Sequence, residues 1–323
     1  MNSTGAAIEA ENLVKIYKAR SAHPVRALDG LSLSVKQGEI FGLLGENGAG
    51  KTTLLRILTT LVHPTSGRAT LLGLDVTRRA YDVRKLICAV LQENAVEVYL
   101  SVEDNLKTYA RFHSIPSRET GARIDKAIEQ FGLTEQRRQK VIDLSGGLKR
   151  RVQVAKVFMV DKPVVFLDEA TTGMDPINKR ATLDTIREQA RQGRTIILTT
   201  HLLEEAEELC DTIAIIDRGS VVAVGDPGTI KSLGSAIVEI SVTYESLDDG
   251  ALEKLSAVPL VKLARHRTTL ELSVNANHIS PFEVLNKLGE LGTVLTFEVR
   301  GGSLEDAFIE LLAKRNARTE TGA

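Results

Sequence analysis

The 323-residue sequence predicts an α/β fold with a mainly parallel sheet, followed by a smaller α+β domain. Three observations carry that expectation. A continuous apolar run, PVVFLD (Pro163–Asp168), and the segment TIILTT (Thr195–Thr200) have the character of strands buried on both faces. Segments with helical spacing alternate with such runs, which places helices on the faces of a parallel sheet. After Gly225-Asp226-Pro227-Gly228 the style changes to single alternation of apolar and polar residues, the mark of half-buried strands.

Taken in order, Leu31–Val35 and Glu39–Leu44 are strand-like, with Gln37-Gly38 as the turn between them. Helical spacing runs from about Thr52 to Leu61 and stops before Pro64. Strands fit Arg68–Leu72 and Ile87–Leu91. From about Ser101 to Met159 the pattern is helical. There Val102, Leu106, Tyr109 and Phe112 fall on one predicted helix face, and Ser101 with Asp104 forms a helix-start pair. A charged helix fits Gly121–Phe131. The stretch from about 93 to 160 reads as a helical insertion between strands. A helix fits Pro176–Arg191, another Leu202–Cys210, and strands fit Thr212–Asp217 and Ser220–Gly225.

Beyond the break, strands fit Ile237–Tyr244, Val258–Ala264, Thr269–Val274 and Val294–Arg300. Helices fit Asp248–Ala257, Pro281–Leu291 and Leu304–Lys314. The order β-α-β-β-α-β-α resembles a ferredoxin-like plait with a terminal helix. The domains are therefore expected at 1–228 and 229–323, with a frayed tail from Asn316.

Composition narrows the function. Lys and Arg number 41 against 42 Asp and Glu, a net charge of −1, so a broad electrostatic grip on nucleic acid is not expected. Aromatics are 4% and Trp is absent, which disfavours base stacking. Cys88 and Cys210, the 2 cysteines, read as small buried apolar residues of a reducing compartment. No run approaches the roughly 18 apolar residues of a membrane span, and the N-terminus lacks a signal-peptide pattern.

GENGAGKT, Gly45–Thr52, matches G-x-x-x-x-G-K-[ST] between a predicted strand and a predicted helix. Backbone N–H groups of such a loop close around phosphate oxygens, and the helix N-terminus adds partial positive charge. Lys51 is expected to reach the β- and γ-phosphates, and the Thr52 hydroxyl to ligate Mg²⁺. VVFLDEA, Val164–Ala170, ends a strand in two carboxylates where open α/β sheets bind ligands. Asp168 suits a magnesium water shell; Glu169 suits acceptance of a proton from an attacking water. LSGGLKRR, Leu144–Arg151, sets Ser145, Gly146 and Gly147 before a helix, a second helix end with bare donors. Locally a plain helix cap is the better explanation. Two such ends in one chain make sense if the second completes the pocket of another copy.

GENGAGKTT, Gln92, LSGG, VVFLDEA, TTGMDP and His201 occur in the order and at about the spacing of the ATP-binding cassette ATPases, over about residues 8–226. The sequence resembles that family. The resemblance implies a P-loop cassette that binds ATP and Mg²⁺ and hydrolyses ATP, with two copies sandwiching two nucleotides head to tail. It implies nucleotide contacts from Tyr17, Gly45, Glu46, Asn47, Gly48, Ala49, Gly50, Lys51, Thr52 and Thr53, and across the dimer from Ser145, Gly146, Gly147 and Asp175. It gives catalytic roles to Glu169, His201 and Gln92, and metal contacts to Thr52, Gln92 and Asp168. Leu148 departs from the usual signature glutamine and cannot hydrogen-bond as that side chain does.

The segments RILTTLVHPTSGRATLLGLDV, LTTHLLEEAEELCDTIAIIDRGSVVAVGDP and SLEDAFIEL resemble exporter ATPases of the daunorubicin and antibiotic-resistance type. Those pair with a separate integral membrane permease, which implies a place on the cytoplasmic face of the membrane and no nucleic-acid partner. The rival expectation is a soluble cassette ATPase in translation, DNA repair or cofactor assembly. A single phosphate loop and the absence of sustained heptads weigh against it. His266 and His278 are expected at the surface, without catalytic partners.

Overall fold

A computed structural model of the chain describes residues 5–18, 23–91, 96–234, 237–248, 250, 255, 258–276 and 278–321. It divides into two compact units, Met1–Asp226 and Pro227–Ala323.

The first unit holds two sheets. Strands β1 (Ala6–Tyr17), β2 (Val25–Lys36), β4 (Ser66–Leu71) and β5 (Leu74–Asp75) form an antiparallel sheet in the order β2-β1-β4-β5. The sequence pattern left β1 out. Its pairing with β2 shifts register between Ala10 and Leu13 and again between Leu13 and Lys15, so its burial does not follow a two-residue period.

The second sheet is mixed: β10 (Ser220–Gly225), β9 (Thr212–Asp217), β3 (Ile40–Leu44), β8 (Thr195–Thr200), β7 (Val164–Asp168) and β6 (Ile87–Val90). All its pairs are parallel except β9–β10. β3, β7 and β8 are buried at every residue, as continuous apolar runs require. Helix α1 (Lys51–Leu58) carries Leu54, Leu55, Ile57 and Leu58 into one core with Leu13 and Leu31 of the first sheet and Phe41 and Phe166 of the second. The short α2 (Ala80–Leu86) lies before β6. It has seven residues, too few for a sequence period to stand out.

Between β6 and β7 run α3 (Val102–Phe112), α4 (Ser117–Gln130) and α5 (Gly146–Phe158), the expected helical insertion. Ser101 caps α3, its Oγ accepting from Asp104 N at 3.0 Å. The four residues predicted on one helix face do not share one environment. Val102 and Leu106 are buried, but Phe112 is 82% exposed, and Asn105 and Ala110 complete the inner face. Ten residues of drift at 3.6 per turn carry Phe112 off the stripe. α6 (Pro176–Arg191) and α7 (Leu203–Leu209) flank β8 in the chain.

The second unit contains α8 (Pro227–Leu233), β11 (Ile237–Tyr244), β12 (Leu260–His266), β13 (Thr269–Asn275), α9 (Pro281–Gly289), β14 (Val294–Gly301) and α10 (Leu304–Thr321). Its four strands form an antiparallel sheet in the order β12-β13-β11-β14. The core gathers Ile240, Val242, Leu270, Leu272, Val284 and Leu288, with the buried Tyr244 hydroxyl donating to Leu288 O at 2.9 Å. The expected helix at Asp248–Ala257 lies largely outside the described residues. α10 continues to Thr321 and so takes in most of the tail read as frayed. Ala307 of α10 is buried against Gly234, at the end of α8. His266 and His278 are exposed, and Cys88 and Cys210 are free and buried.

Candidate active site

Three parallel strands bring the chemistry to one sheet edge. In register, Leu44 of β3 stands beside Thr200 of β8, and Asp168 of β7 beside Thr199. The chain leaves these strands at the same end, so the loop from Gly45, the Asp168-Glu169 pair and His201 converge there. This is the ligand-binding end of open α/β sheets.

The loop Gly45–Gly50 turns directly into α1. Gly50 is the helix cap at φ 111°, and a Cβ there would lie 2.6 Å from Ala27 O, so only glycine fits. The first turn of α1 carries no acidic residue, leaving its partial positive charge free for an anion. Glu46, Asn47 and Gly48 are exposed, Ala49 is buried, and Thr52 and Thr53 are half-buried. Lys51 is 6% exposed, and its Nζ donates to Gly45 O at 2.5 Å and Glu46 O at 3.0 Å. Burial pushes its pKa below the ordinary lysine value, while Glu169 and Asp168 pull the other way. The ammonium thus rests inside its own loop, within reach of the phosphates that the loop would cradle.

Asp168 is 2% exposed. Its Oδ1 accepts from Thr199 Oγ1 at 2.5 Å, and its Oδ2 from Thr52 Oγ1 at 3.4 Å. Glu169 takes a left-handed backbone, φ 53°. Its N–H donates to Thr199 O and Thr199 Oγ1, each at 3.1 Å. This turn aims its carboxylate at His201, whose Nδ1 lies 3.4 Å from Glu169 Oε1. A carboxylate and an imidazole facing each other beside a phosphate cradle can take up a proton and oppose growing negative charge.

Three partners of this cluster escaped the sequence reading. Thr199 bonds both Asp168 and Glu169. Arg150 of α5 donates to the carbonyls of Asp168, Glu169 (3.2 Å) and Leu91 (3.3 Å), bracing the strand ends from beneath. Glu205 of α7 accepts from Thr171 and Thr200 on the two loops. Apart from the nearby Thr200–Glu205 bond, these contacts join residues 18 or more apart in sequence, and no local pattern signals them.

Ser145 caps α5, its Oγ accepting from Leu148 N at 3.3 Å. Ser145 and Gly146 are exposed and Gly147 half-buried, so this helix end is open to an anion. A Cβ at Gly147 would come within 2.8 Å of Gly173 O, which ties the helix end to the loop between Glu169 and Asp175. Asp175 is exposed and caps α6, accepting from Asn178 N at 3.1 Å; hydrogen bonds from Asn178 hold its carboxyl below the usual range. Tyr17 ends β1 on the antiparallel sheet, with Lys15 Nζ 5.1 Å from its ring centre. Gln92 lies outside the described residues. Among those described, no group of three or more His, Cys, Asp and Glu is placed to cage a metal ion.

A mainly parallel sheet, a P-loop at the end of its central strand and a strand-end carboxylate pair define a nucleotide-hydrolysing cassette. The family model described as ABC transporter matches residues 28–172. The daunorubicin resistance ATP-binding protein DrrA3 of Streptomyces coeruleorubidus is 36% identical over 288 residues, 88% of this chain and 91% of that protein. The Nod factor export ATP-binding protein I of Rhizobium meliloti is 34% identical over 305 residues, 94% of this chain and 88% of that protein. Among solved structures, an ATP-binding subunit of an ABC transporter superposes with a TM-score of 0.63 at 26% identity, over 70% of this chain and 92% of that one. The chain belongs to the ABC transporter family and is one of its ATP-binding, ATP-hydrolysing subunits.

Proposed function

We propose that this chain powers an exporter, binding and hydrolysing ATP to drive a separate integral membrane permease. The observation that carries this is the meeting of Lys51, Asp168, Glu169 and His201 at one sheet edge, in a chain whose resistance and export relatives match it over most of its length. Likeness through the second unit favours this reading over a soluble non-transport ATPase. No helix among the described residues is long and apolar enough to cross a membrane, which suits a subunit docked on the cytoplasmic face of a permease.

In the proposed reaction, water attacks the γ-phosphorus in line as the bond to the β,γ-bridging oxygen breaks and ADP leaves. Glu169 accepts its proton, while Lys51 and His201 oppose the charge on the phosphoryl oxygens. The residues fit magnesium: a buried carboxylate and a hydroxyl 3.4 Å apart leave room for the waters and phosphate oxygens that this ion keeps. Thr52 and Asp168 would hold it, with Gln92, and when bound it neutralises phosphate charge.

Two copies would pair head to tail, each lending Ser145, Gly146, Gly147 and Asp175 to the other's nucleotide. The exposed end of α5 and the 82% exposed Ile177 beside Asp175 support an interface on this rim. Tyr17 would stack on adenine. Tyr99 and Phe112, 76% and 82% exposed on the insertion, mark the surface we assign to the permease. The cassette spans 1–228. The unit at 229–323 is a ferredoxin-like accessory domain, a reading supported by its strand order, and it stabilises or regulates the dimer.

Glu169→Gln is the test. It should bind ATP normally yet hydrolyse it very slowly, and near-normal turnover would refute the assignment. Co-purification with an integral membrane protein from detergent extracts tests the export role. Truncation at Gly228 that leaves dimerisation, hydrolysis and transport unchanged would refute the role given to the second unit.

A further inference from the structure

We propose that Glu205 is a positioning residue for hydrolysis, holding His201 against Glu169 from behind. The inference rests on the hydrolytic roles given above to those two residues. Their side chains meet at the tips of neighbouring loops, 3.4 Å apart, with the His201 side chain 48% exposed. A contact so open does not fix either loop by itself.

Glu205 lies behind the pair and is 5% exposed. Its Oε2 accepts from Thr200 Oγ1 at 2.9 Å, and Thr200 immediately precedes His201. Thr200 Oγ1 also accepts from Leu202 N at 3.0 Å, so the chain on both sides of His201 is tied to this point. The other carboxylate oxygen, Oε1, accepts from Thr171 Oγ1 at 2.5 Å, two residues beyond Glu169. Lys179 Nζ stands 2.9 Å from that same oxygen and balances the charge. Lys179 belongs to α6, where its N–H bonds to Asp175 O at 2.9 Å. One carboxylate therefore gathers the His201 loop, the segment after Glu169 and the helix that Asp175 caps.

Apolar residues of similar volume often pack as stably as a buried ion pair, so the Glu205–Lys179 pair is not explained by stability alone. Hydrogen bonds to a carboxylate are shorter and stronger than neutral ones, so the two threonine hydroxyls are held firmly. α7 already packs through Ala206 and Leu209, and Glu205 turns toward the loops of the site. Misplacing a reacting group by about 1 Å costs on the order of 100-fold in rate, so this staple has leverage on turnover while standing outside the nucleotide site.

The experiment compares Glu205→Gln, His201→Ala and the double variant in steady-state ATP hydrolysis. Glutamine keeps the size and one acceptor oxygen but loses the charge. Glu205→Gln is expected to lower kcat by about tenfold or more with KM for ATP changed less than about twofold, and to add less than about twofold to the loss in His201→Ala. Unchanged kcat, or losses that multiply in the double variant, would overturn the proposal. If Glu205→Gln does not fold, Thr171→Val and Thr200→Val keep the Glu205–Lys179 pair and are judged by the same criteria. If Glu169→Gln and His201→Ala retain turnover, the hydrolytic reading itself fails. If they lose it while Glu205→Gln does not, only the positioning role fails.

Discussion

Thr199 stands beside Asp168 on the neighbouring parallel strand, and its hydroxyl donates to Asp168 Oδ1 at 2.5 Å. That hydroxyl also accepts from Glu169 N at 3.1 Å. One side chain thus orients a buried carboxylate and the peptide of the next residue. Thr199→Val, nearly the same in shape, leaves Asp168 Oδ1 without this donor. A buried acceptor so stranded costs about 1–3 kcal/mol. We expect that loss in denaturant unfolding, with turnover lowered roughly tenfold for a barrier rise of about 1.4 kcal/mol. Unchanged stability and rate would show that neither carboxylate depends on Thr199.

Lys51 binds two carbonyls of its own loop and is almost fully buried. Lys51→Met keeps the stem and removes the charge. A charged hydrogen bond is worth about 1.5–3 kcal/mol, so nucleotide affinity should fall by about 10–100-fold. Calorimetric titration with ATP measures it. Equal affinity in the two proteins would remove Lys51 from phosphate binding.

On the insertion, Glu103 joins Arg137 at 2.7 Å and Lys107 at 2.7 Å. Hydrogen bonding to Arg137, then to Lys107, holds its pKa down at about 2, against 4.5 for the free group. A folded-state pKa below the unfolded one stabilises the fold above the unfolded value, and that stabilisation fades as pH falls toward the folded one. Glu103→Gln should therefore lower the melting temperature at pH 7, and the gap to the parent should narrow as pH drops below about 4.5. A gap that stayed constant from pH 7 down to about pH 2 would mean that the pair contributes nothing through ionisation.

Cys88 and Cys210 are 4% and 6% exposed. Burial pushes both thiols up, Cys88 to about 12. The thiolate is the reactive form, so both should resist an aromatic disulfide reagent in the native protein and react on unfolding in guanidinium. Rapid native labelling at either position would contradict the packing described here.

The sequence made the strand ends legible because each motif sits where a continuous apolar run meets glycine or charge. β8 and α6 fall at Thr195–Thr200 and Pro176–Arg191, as the pattern predicts. Elements set by tertiary pairing were harder to read. β1 takes its irregular burial from a shifting register with β2 and β4. Phe112 followed a helical repeat yet ended in solvent. The phosphate loop and the carboxylate pair could be read from residue type and spacing, and His201 from the family resemblance. Thr199, Arg150 and Glu205 could not, since each matters through contacts that only strand order and helix packing create.

The backbone of Glu169 is left-handed, at φ 53°. For any residue but glycine, with asparagine and aspartate the partial exceptions, that conformation costs about 1–2 kcal/mol. Folding alone would favour glycine at this position, and a lineage selected only for long-lived chains would drift toward it. Such descendants would be sturdier and would keep the phosphate loop, yet lack the carboxylate to which we assign the attacking water's proton. Persistence of the molecule and its chemistry are thus opposed at a single residue, and the glutamate endures only while its carboxylate is needed.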